Sequence, residues 1–476
     1  MTSLFNVSTR LAIAGLALVS QFTLAEPAPA TATAAAPAAA PSSQVLSKGK
    51  YLAIAADCVA CHSTKGAAPF AGGYSVESPM GAIWSTNITP SKQFGIGNYT
   101  LEQFSRAVRE GVTPDGHRLY PAMPYTAYAM MTDEDTAALY QYFMTEVKPV
   151  EVASKETKLP FPFNVRAAMI GWNAIYATNK PFTPEAGKSQ EYNRGNYLVN
   201  GLAHCSACHT ERTVLMGEDI RRPLGGGSLG AWYAPNISSD KAAGIGGWSD
   251  DELLAYLKTG HVLGKAQAAG PMAEAIEHSL QYLNDGDLRA IVTYLKQSPA
   301  VAGNEAQPRY AVGKESMDEF ALRGNAVKNV DAGWKVYTGT CAACHGAQGE
   351  GAAGYPSLFH NTATGADRAD NLIATILYGV QRSVGHKEIA MPGFGPQAAY
   401  TQRLSDQQIA DVSNYVLKNF GQAKPDVTAQ AVAQIRAGGP TPTLVLLARY
   451  GIPAGVVIVI LLALLLVRRS RKGKQA

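Results

Sequence analysis

Two continuous apolar runs frame the chain, and between them apolar and polar positions interleave. The first run, "TRLAIAGLALVSQFTLA" at 9–25, carries one charge, Arg10, and closes on small residues. It predicts a secretory signal peptide over 1–25, with an uncleaved anchor as the alternative. The tract that follows, 26–44, is rich in Pro and Ala without a patterned apolar face, which predicts an extended spacer. The second run, Leu444 to Val467, holds 24 residues and one charge, Arg449. About 20 such residues cross the hydrocarbon core of a bilayer, so 444–467 predicts a transmembrane anchor, with a buried or interfacial helix as the alternative. The tail 468–476 carries Arg468, Arg469, Arg471, Lys472 and Lys474. Basic residues are retained on the cytoplasmic side, and export of the N-terminal body demands that same orientation.

Between the runs, the pattern repeats. The stretches "MTDEDTAALYQYFM", "LNDGDLRAIVTYLK" and "LSDQQIADVSNYVLK" each predict a helix after a polar cap: Thr132, Asn284 and Ser405. A cap side chain accepts from backbone N–H groups that the first helical turn leaves unpaired. Ser405 with Gln408 has the spacing of a reciprocal capping box. Ten residues beyond each cap stands a tyrosine, Tyr142, Tyr294 or Tyr415. The shared register predicts one shared task, packing the last helix of each repeat against its first.

Composition narrows the class. Charged residues make up 16% of the chain, below the roughly 25% of an average soluble domain. The formal charge is +4, but without Arg10 and the five basic tail residues the balance is about −2, which argues against nucleic-acid binding. The six cysteines, Cys58, Cys61, Cys205, Cys208, Cys341 and Cys344, all lie in "CVACH", "CSACH" and "CAACH". A structural zinc site wants four ligands, and three separated pairs leave one over. A thioredoxin-like dithiol needs neither the following histidine nor three copies. C-x-x-C-H is the pattern of c-type haem attachment: two thiols form thioethers to the haem, and the histidine becomes its proximal ligand. His62, His209 and His345 are therefore the candidate iron ligands.

An iron that only passes electrons needs a second axial ligand, and methionine fills that role in cytochromes c. Met123 in "YPAMPY" lies 61 residues past His62, Met272 in "AGPMAE" 63 past His209, and Met391 in "IAMPGFG" 46 past His345. A neighbouring proline stiffens each loop. Met80, Met130, Met131 and Met216 compete but lie too early or run into the terminal helix. Of the other histidines, His117, His204, His261, His278, His360 and His386, none recurs at a matching position in all three repeats, though His117 and His261 follow equivalent "REG" and "KTG" turns. Asn87 in "TNI" and Asn236 in "PNI" read equally as donors to a buried propionate or as side-chain turns. "LGGGSLG" at 224–230 follows no predicted strand and reads as a flexible turn.

Three "C-x-x-C-H" repeats with "STNITP", "GIGNYT", "YPAMPY", "MTDED" and the C-terminal apolar run resemble the trihaem cytochrome c subunits of periplasmic, membrane-bound alcohol, gluconate, sorbitol and fructose dehydrogenases. The resemblance covers roughly 45–467. It implies an all-α chain of three tandem cytochrome c domains, at 45–150, 185–300 and 325–423, plus a C-terminal transmembrane helix. The apolar segment 151–184 is read as a bridge packing across the first two. The resemblance further implies three covalent haems with axial pairs His62/Met123, His209/Met272 and His345/Met391. Its expected partners are a large FAD- or pyrroloquinoline-quinone-dependent dehydrogenase subunit, room for a small third subunit, the membrane, and ubiquinone as electron acceptor. The alternatives are a multihaem peroxidase or reductase with one open haem, and a cytochrome module of a terminal oxidase.

Overall fold

The computed structural model describes residues 46–178, 180–316, 330–352, 354–421 and 426–472. The signal-peptide and spacer readings at 1–44 lie outside these residues.

Three segments each open with a short helix behind a polar cap. Ser47 accepts from Lys50 N ahead of Lys48–Ala55, Ser189 from Tyr192 N ahead of Gln190–Tyr197, and Asp331 from Gly333 and Trp334 N ahead of Ala332–Val336. Each segment closes on a longer helix, Asp133–Thr145, Asp285–Gln297 or Asp406–Phe420. Thr132, Asn284 and Ser405 cap these helices, and Ser405 with Gln408 forms both halves of its box. Leu288, Ile291, Val292 and Leu295 lie on one buried stripe of the second closing helix. Each such side chain contributes about 1.5–3 kcal/mol by leaving water.

The closing helix crosses the opening helix at a glycine. A Cβ placed on Gly49, Gly195 or Gly333 would lie 2.6, 2.7 or 2.7 Å from the Cβ of Tyr142, Tyr294 or Tyr415, and against the carbonyl of Ala138, Ala290 or Asp411. The tyrosines thus press on a place where only a bare backbone fits. Tyr142 and Tyr415 are buried, and Tyr294, half-buried, accepts from Asn200.

An all-α architecture needs one correction. Among the described residues, four two-stranded antiparallel hairpins join the helices: 75–78 with 81–84, 227–229 with 232–234, 261–262 with 266–267, and 380–384 with 387–391. "LGGGSLG" supplies one of these strands, Gly227–Leu229, rather than a flexible turn. Gly226, at φ 99°, donates to the His209 carbonyl and leads into that strand.

One apolar core runs from Leu52 through Leu139 and Leu198 to Leu295, so the first two segments share it. They also exchange polar contacts reciprocally. Tyr51 donates to Asp287 at 2.7 Å, and Tyr197 donates to Asp135 at 2.6 Å. Each aspartate is paired at home as well. Arg194 grips Asp287 through Nε and a terminal nitrogen at 2.8 and 2.7 Å, and Lys48 lies 2.8 Å from Asp135.

The third segment has its own core, from Tyr337 to Ile435. It meets the second through Arg382, which is fully buried and donates to the Ala268 carbonyl and the Gln267 side chain. Ser383 N and Gly385 N donate to Glu277 and Gln281, and Asn371 exchanges two bonds with Tyr233.

The segment 151–178 touches both of its neighbours through polar groups. Thr157 accepts from Trp84 N, Asn173 accepts from Tyr125, and Trp172 donates to Leu215. Its large apolar side chains Phe161, Ile170 and Ile175 face outward.

After the third core, helix Ala429–Arg436 leads to a helix that runs through Thr443–Leu446, Leu447–Gly451 and Ile452–Lys472. The middle piece is wound as a π-turn just before Pro453. A proline ring clashes with the carbonyl four residues back and lacks an N–H, and the wider turn accommodates both. Thr443–Leu466 is long and apolar enough to cross a membrane. From Val456 to Leu466 its large apolar side chains stand more than half exposed.

Candidate cofactor sites

Each pentad folds as a short helical turn: Cys58–His62, Cys205–His209 and, in the third segment, Ala342–His345 behind a π-turn at Tyr337–Cys341. Asp57 and His204, just ahead of the first two, adopt left-handed backbone at φ 51° and 37°. In the second pentad both cysteines and the histidine line one cavity.

The histidines share one geometry. His62 Nδ1 lies 2.7 Å from the Thr86 carbonyl, His209 Nδ1 2.6 Å from that of Pro235, and His345 Nδ1 2.9 Å from that of Pro356. A carbonyl only accepts, so Nδ1 carries the proton and Nε2 keeps its lone pair for a metal. Burial lowers the pKa of all three, outweighing the carbonyl bond that opposes it, which favours the neutral ring that ligation requires.

Desolvation acts on the pentad thiols in one direction. Burial pushes Cys58, Cys205 and Cys341 up to about 12 and Cys61 up to about 11.

Geometry decides the open reading for Asn87. Asn87 donates to the carbonyls of Val150 and Val152, and its side-chain oxygen accepts from Thr89 N and Oγ1. Asn236 donates to the Val301 carbonyl and accepts from Ser238 N. These bonds clasp the chain beyond each closing helix; Asn87 spends both amide hydrogens on them and reads as a turn, whereas Asn236 spends one and also lines the His209 cavity. The residue just before each clasp, Thr86 or Pro235, supplies the carbonyl that orients the histidine. The asparagines therefore act on the site through its backbone.

The methionines sit on three different elements. Met123 lies in a turn where its carbonyl accepts from Tyr125 N, Met272 follows Pro271 at the start of helix Gly270–His278, and Met391 ends strand Lys387–Met391. His209 and Met272 line one cavity of about 460 Å3 together with Cys205 and Cys208. Met123 packs on the same core as Cys58, and Met391 on the same core as Cys341. The competitor Met131 is fully buried core, and Met216 occupies a turn at φ 65°.

Sequence reasoning missed two features of these sites. His204 stacks edge-on to Tyr128 at 5.6 Å, and burial lowers its pKa to about 4. Asp57 lines the His209 cavity although it belongs to the first segment. Both occupy the position just ahead of a pentad, and that equivalence was visible in the aligned repeats.

The cytochrome c family profile matches residues 46–146 and 330–419. The fructose dehydrogenase cytochrome subunit of Gluconobacter japonicus is 49% identical over 458 residues, covering 94% of this chain and 91% of that protein. The gluconate 2-dehydrogenase cytochrome c subunit of Pantoea cypripedii is 40% identical over 82% of this chain and 89% of its own length. The cytochrome c subunit of the quinone alcohol dehydrogenase of Gluconobacter oxydans (strain 621H) is 36% identical over 84% of each chain. With the pentads and their oriented histidines already in place, the chain belongs to the family of haem-carrying cytochrome c subunits of dehydrogenase complexes.

Proposed function

We propose that the chain carries three covalent haems c, one per pentad, and relays electrons from a dehydrogenase subunit to ubiquinone. Cys58 with Cys61, Cys205 with Cys208, and Cys341 with Cys344 hold the three groups. His62/Met123, His209/Met272 and His345/Met391 are the axial pairs. Each haem, when bound, supplies a one-electron couple at iron; a thioether opposite an imidazole favours the reduced state.

The observation that carries this reading is the threefold Nδ1-to-carbonyl bond. It presents Nε2 in the same tautomer at each pentad. His209 and His345 are buried, and the prolines beside the methionines stiffen the backbone that presents sulfur. Cytochrome c domains at 45–150, 185–300 and 325–423 follow from the same repeat. The partner is a large subunit carrying FAD or pyrroloquinoline quinone, with room for a small third subunit. The names of the relatives support a dehydrogenase partner, with quinone named for one of them. The helix over 444–467 anchors the complex in the inner membrane, and the basic tail keeps its C-terminus cytoplasmic.

The test uses the complex extracted from membranes. Three haems per chain and the long-wavelength sulfur-to-iron band at each support the reading. A five-coordinate, high-spin haem in the resting EPR spectrum, with peroxide turnover, overturns it in favour of an open-haem enzyme. Met272→Ala removes one third of the sulfur-to-iron band if the middle pair is as assigned.

A further inference from the structure

The cavity that joins His209 to Met272 is apolar over most of its wall, but its rim is not. Arg309 lines it from the strap 301–316, which links the second and third segments. Arg309 is only 8% exposed. Its guanidinium makes no hydrogen bond or ion pair with any described residue. The other two arginines on the rim are committed: Arg222 donates to the Ala302 carbonyl, and Arg368 is paired with Asp370 through two bonds and lies over the Tyr233 ring at 3.7 Å.

A cation that is mostly desolvated and lacks a protein partner favours an anionic occupant of the cavity it lines. Glu305 and Asp367 lie on the same rim and act on Arg309 electrostatically, yet neither reaches ion-pair distance. Arg309 also acts on His209 across the cavity. The strap is fixed independently of any cavity occupant: Tyr310 donates to the Gly247 carbonyl, and Val312 accepts from His360 N. The strap is thus pinned beside Arg309 by one side-chain and one backbone bond, and Arg309 lines the cavity without a partner among the described residues.

We propose that Arg309 binds a carboxylate of the occupant of this cavity, a propionate of the middle haem, and holds that haem's potential above the value it would otherwise have. This rests on the axial assignment of His209 and Met272 given above. The physical argument is electrostatic. A fixed positive charge near the iron favours the reduced state, which carries one positive charge fewer. A planar guanidinium matches a carboxylate through two parallel N–H donors. Arg309 itself lines the cavity that holds His209 and Met272, so the effect is assigned to that haem.

Redox titration of the detergent-extracted complex, followed by absorbance, tests it. Met272→His serves as the marker, because replacing sulfur with nitrogen displaces the midpoint of the middle haem. Arg309→Leu is expected to keep three covalent haems and the sulfur-to-iron bands. It should lower the wave that Met272→His marks by tenfold or more in the redox equilibrium, about 59 mV for one electron. Arg309→Lys should recover part of that shift, since it restores the charge without the fork. Glu305→Gln and Asp367→Asn, which remove opposing charge, should move the same wave upward; they test the inference if Arg309→Leu does not fold. If Met272→His moves one wave and none of the rim variants does, the inference falls and the axial assignment stands. A shift caused by the rim variants on a different wave overturns the inference in the same way. If Met272→His moves no wave, the axial assignment falls and takes this inference with it.

Discussion

Tyr51 and Tyr197 each reach from one segment to an aspartate of the other, Asp287 and Asp135. At the matching places the third segment carries Lys335 and Gln408. The same two helices therefore cross at the same glycine in all three segments, while only the first two are locked to each other. They share one apolar core, and the third keeps its own and docks through a hairpin whose buried anchor is Arg382. The difference shows how a repeated unit is assembled without altering its interior. The helix crossing is kept, and two positions of the crossing helices differ between the locked pair and the third segment.

The crossing glycines are the strongest test of that view. Gly195→Ala puts a methyl against the Ala290 carbonyl, inside the shared core. It should cost about 3 kcal/mol or more, at the upper end for overpacking. Denaturant unfolding followed at the haem bands should report the first two segments failing together. Gly333→Ala should cost a similar amount but release only the third, and loss of all three at once would dissolve the comparison.

Next comes the docking of the third segment. Arg382→Ala leaves the Ala268 carbonyl and the Gln267 side chain without their donor. About 1–3 kcal/mol is expected for each buried group left unsatisfied. Limited proteolysis between the second and third segments should accelerate, with the first two still cooperative.

The reciprocal lock is weaker because Arg194 is partly in water. Asp287→Ala should cost about 2 kcal/mol, below the range for a fully buried pair. It also carries a pH signature. Burial raises the Asp287 pKa, but the bonds from Arg194 and Tyr51 outweigh it and leave the value below the ordinary 3.8. A carboxylate with a lowered folded pKa stabilises above its unfolded value and loses that contribution as pH falls. The first two segments should therefore loosen below about pH 4. Asp287→Asn should flatten that limb of the acid-unfolding curve. The smallest effect is expected at the caps: Ser405→Ala should cost about 1 kcal/mol, within the third core alone. A loss shared with the first two would again contradict separate cores.

Much of this was legible along the chain. The caps at Thr132, Asn284 and Ser405 and the tyrosines ten residues beyond obey local rules of helix starts and helical period, so the sequence states them directly. The pentads announce their chemistry because thioether attachment and proximal ligation need fixed spacing within a single turn. The hairpins were less visible. Strands of two to five residues, such as His261–Val262 and Val380–Val384, are too short for an alternating pattern to stand out. Asn87 and Asn236 stayed ambiguous because an amide that clasps a distant backbone looks the same in sequence as one that faces a ligand.

The sequence by itself determined which residues can attach and ligate a haem, where helices begin, and that one unit recurs. Those properties depend on covalent chemistry and on contacts within a few residues. Only the tertiary structure decided that Tyr51 meets Asp287, that Arg382 is buried in another segment's backbone, and that Arg309 stands unpaired at the rim of the His209 cavity. The partners in those contacts lie from about 100 to more than 230 residues apart. Buried polar groups must find a partner or bear the cost of lacking one. Which partner they find is set by how the cores pack, a property no local stretch of chain contains.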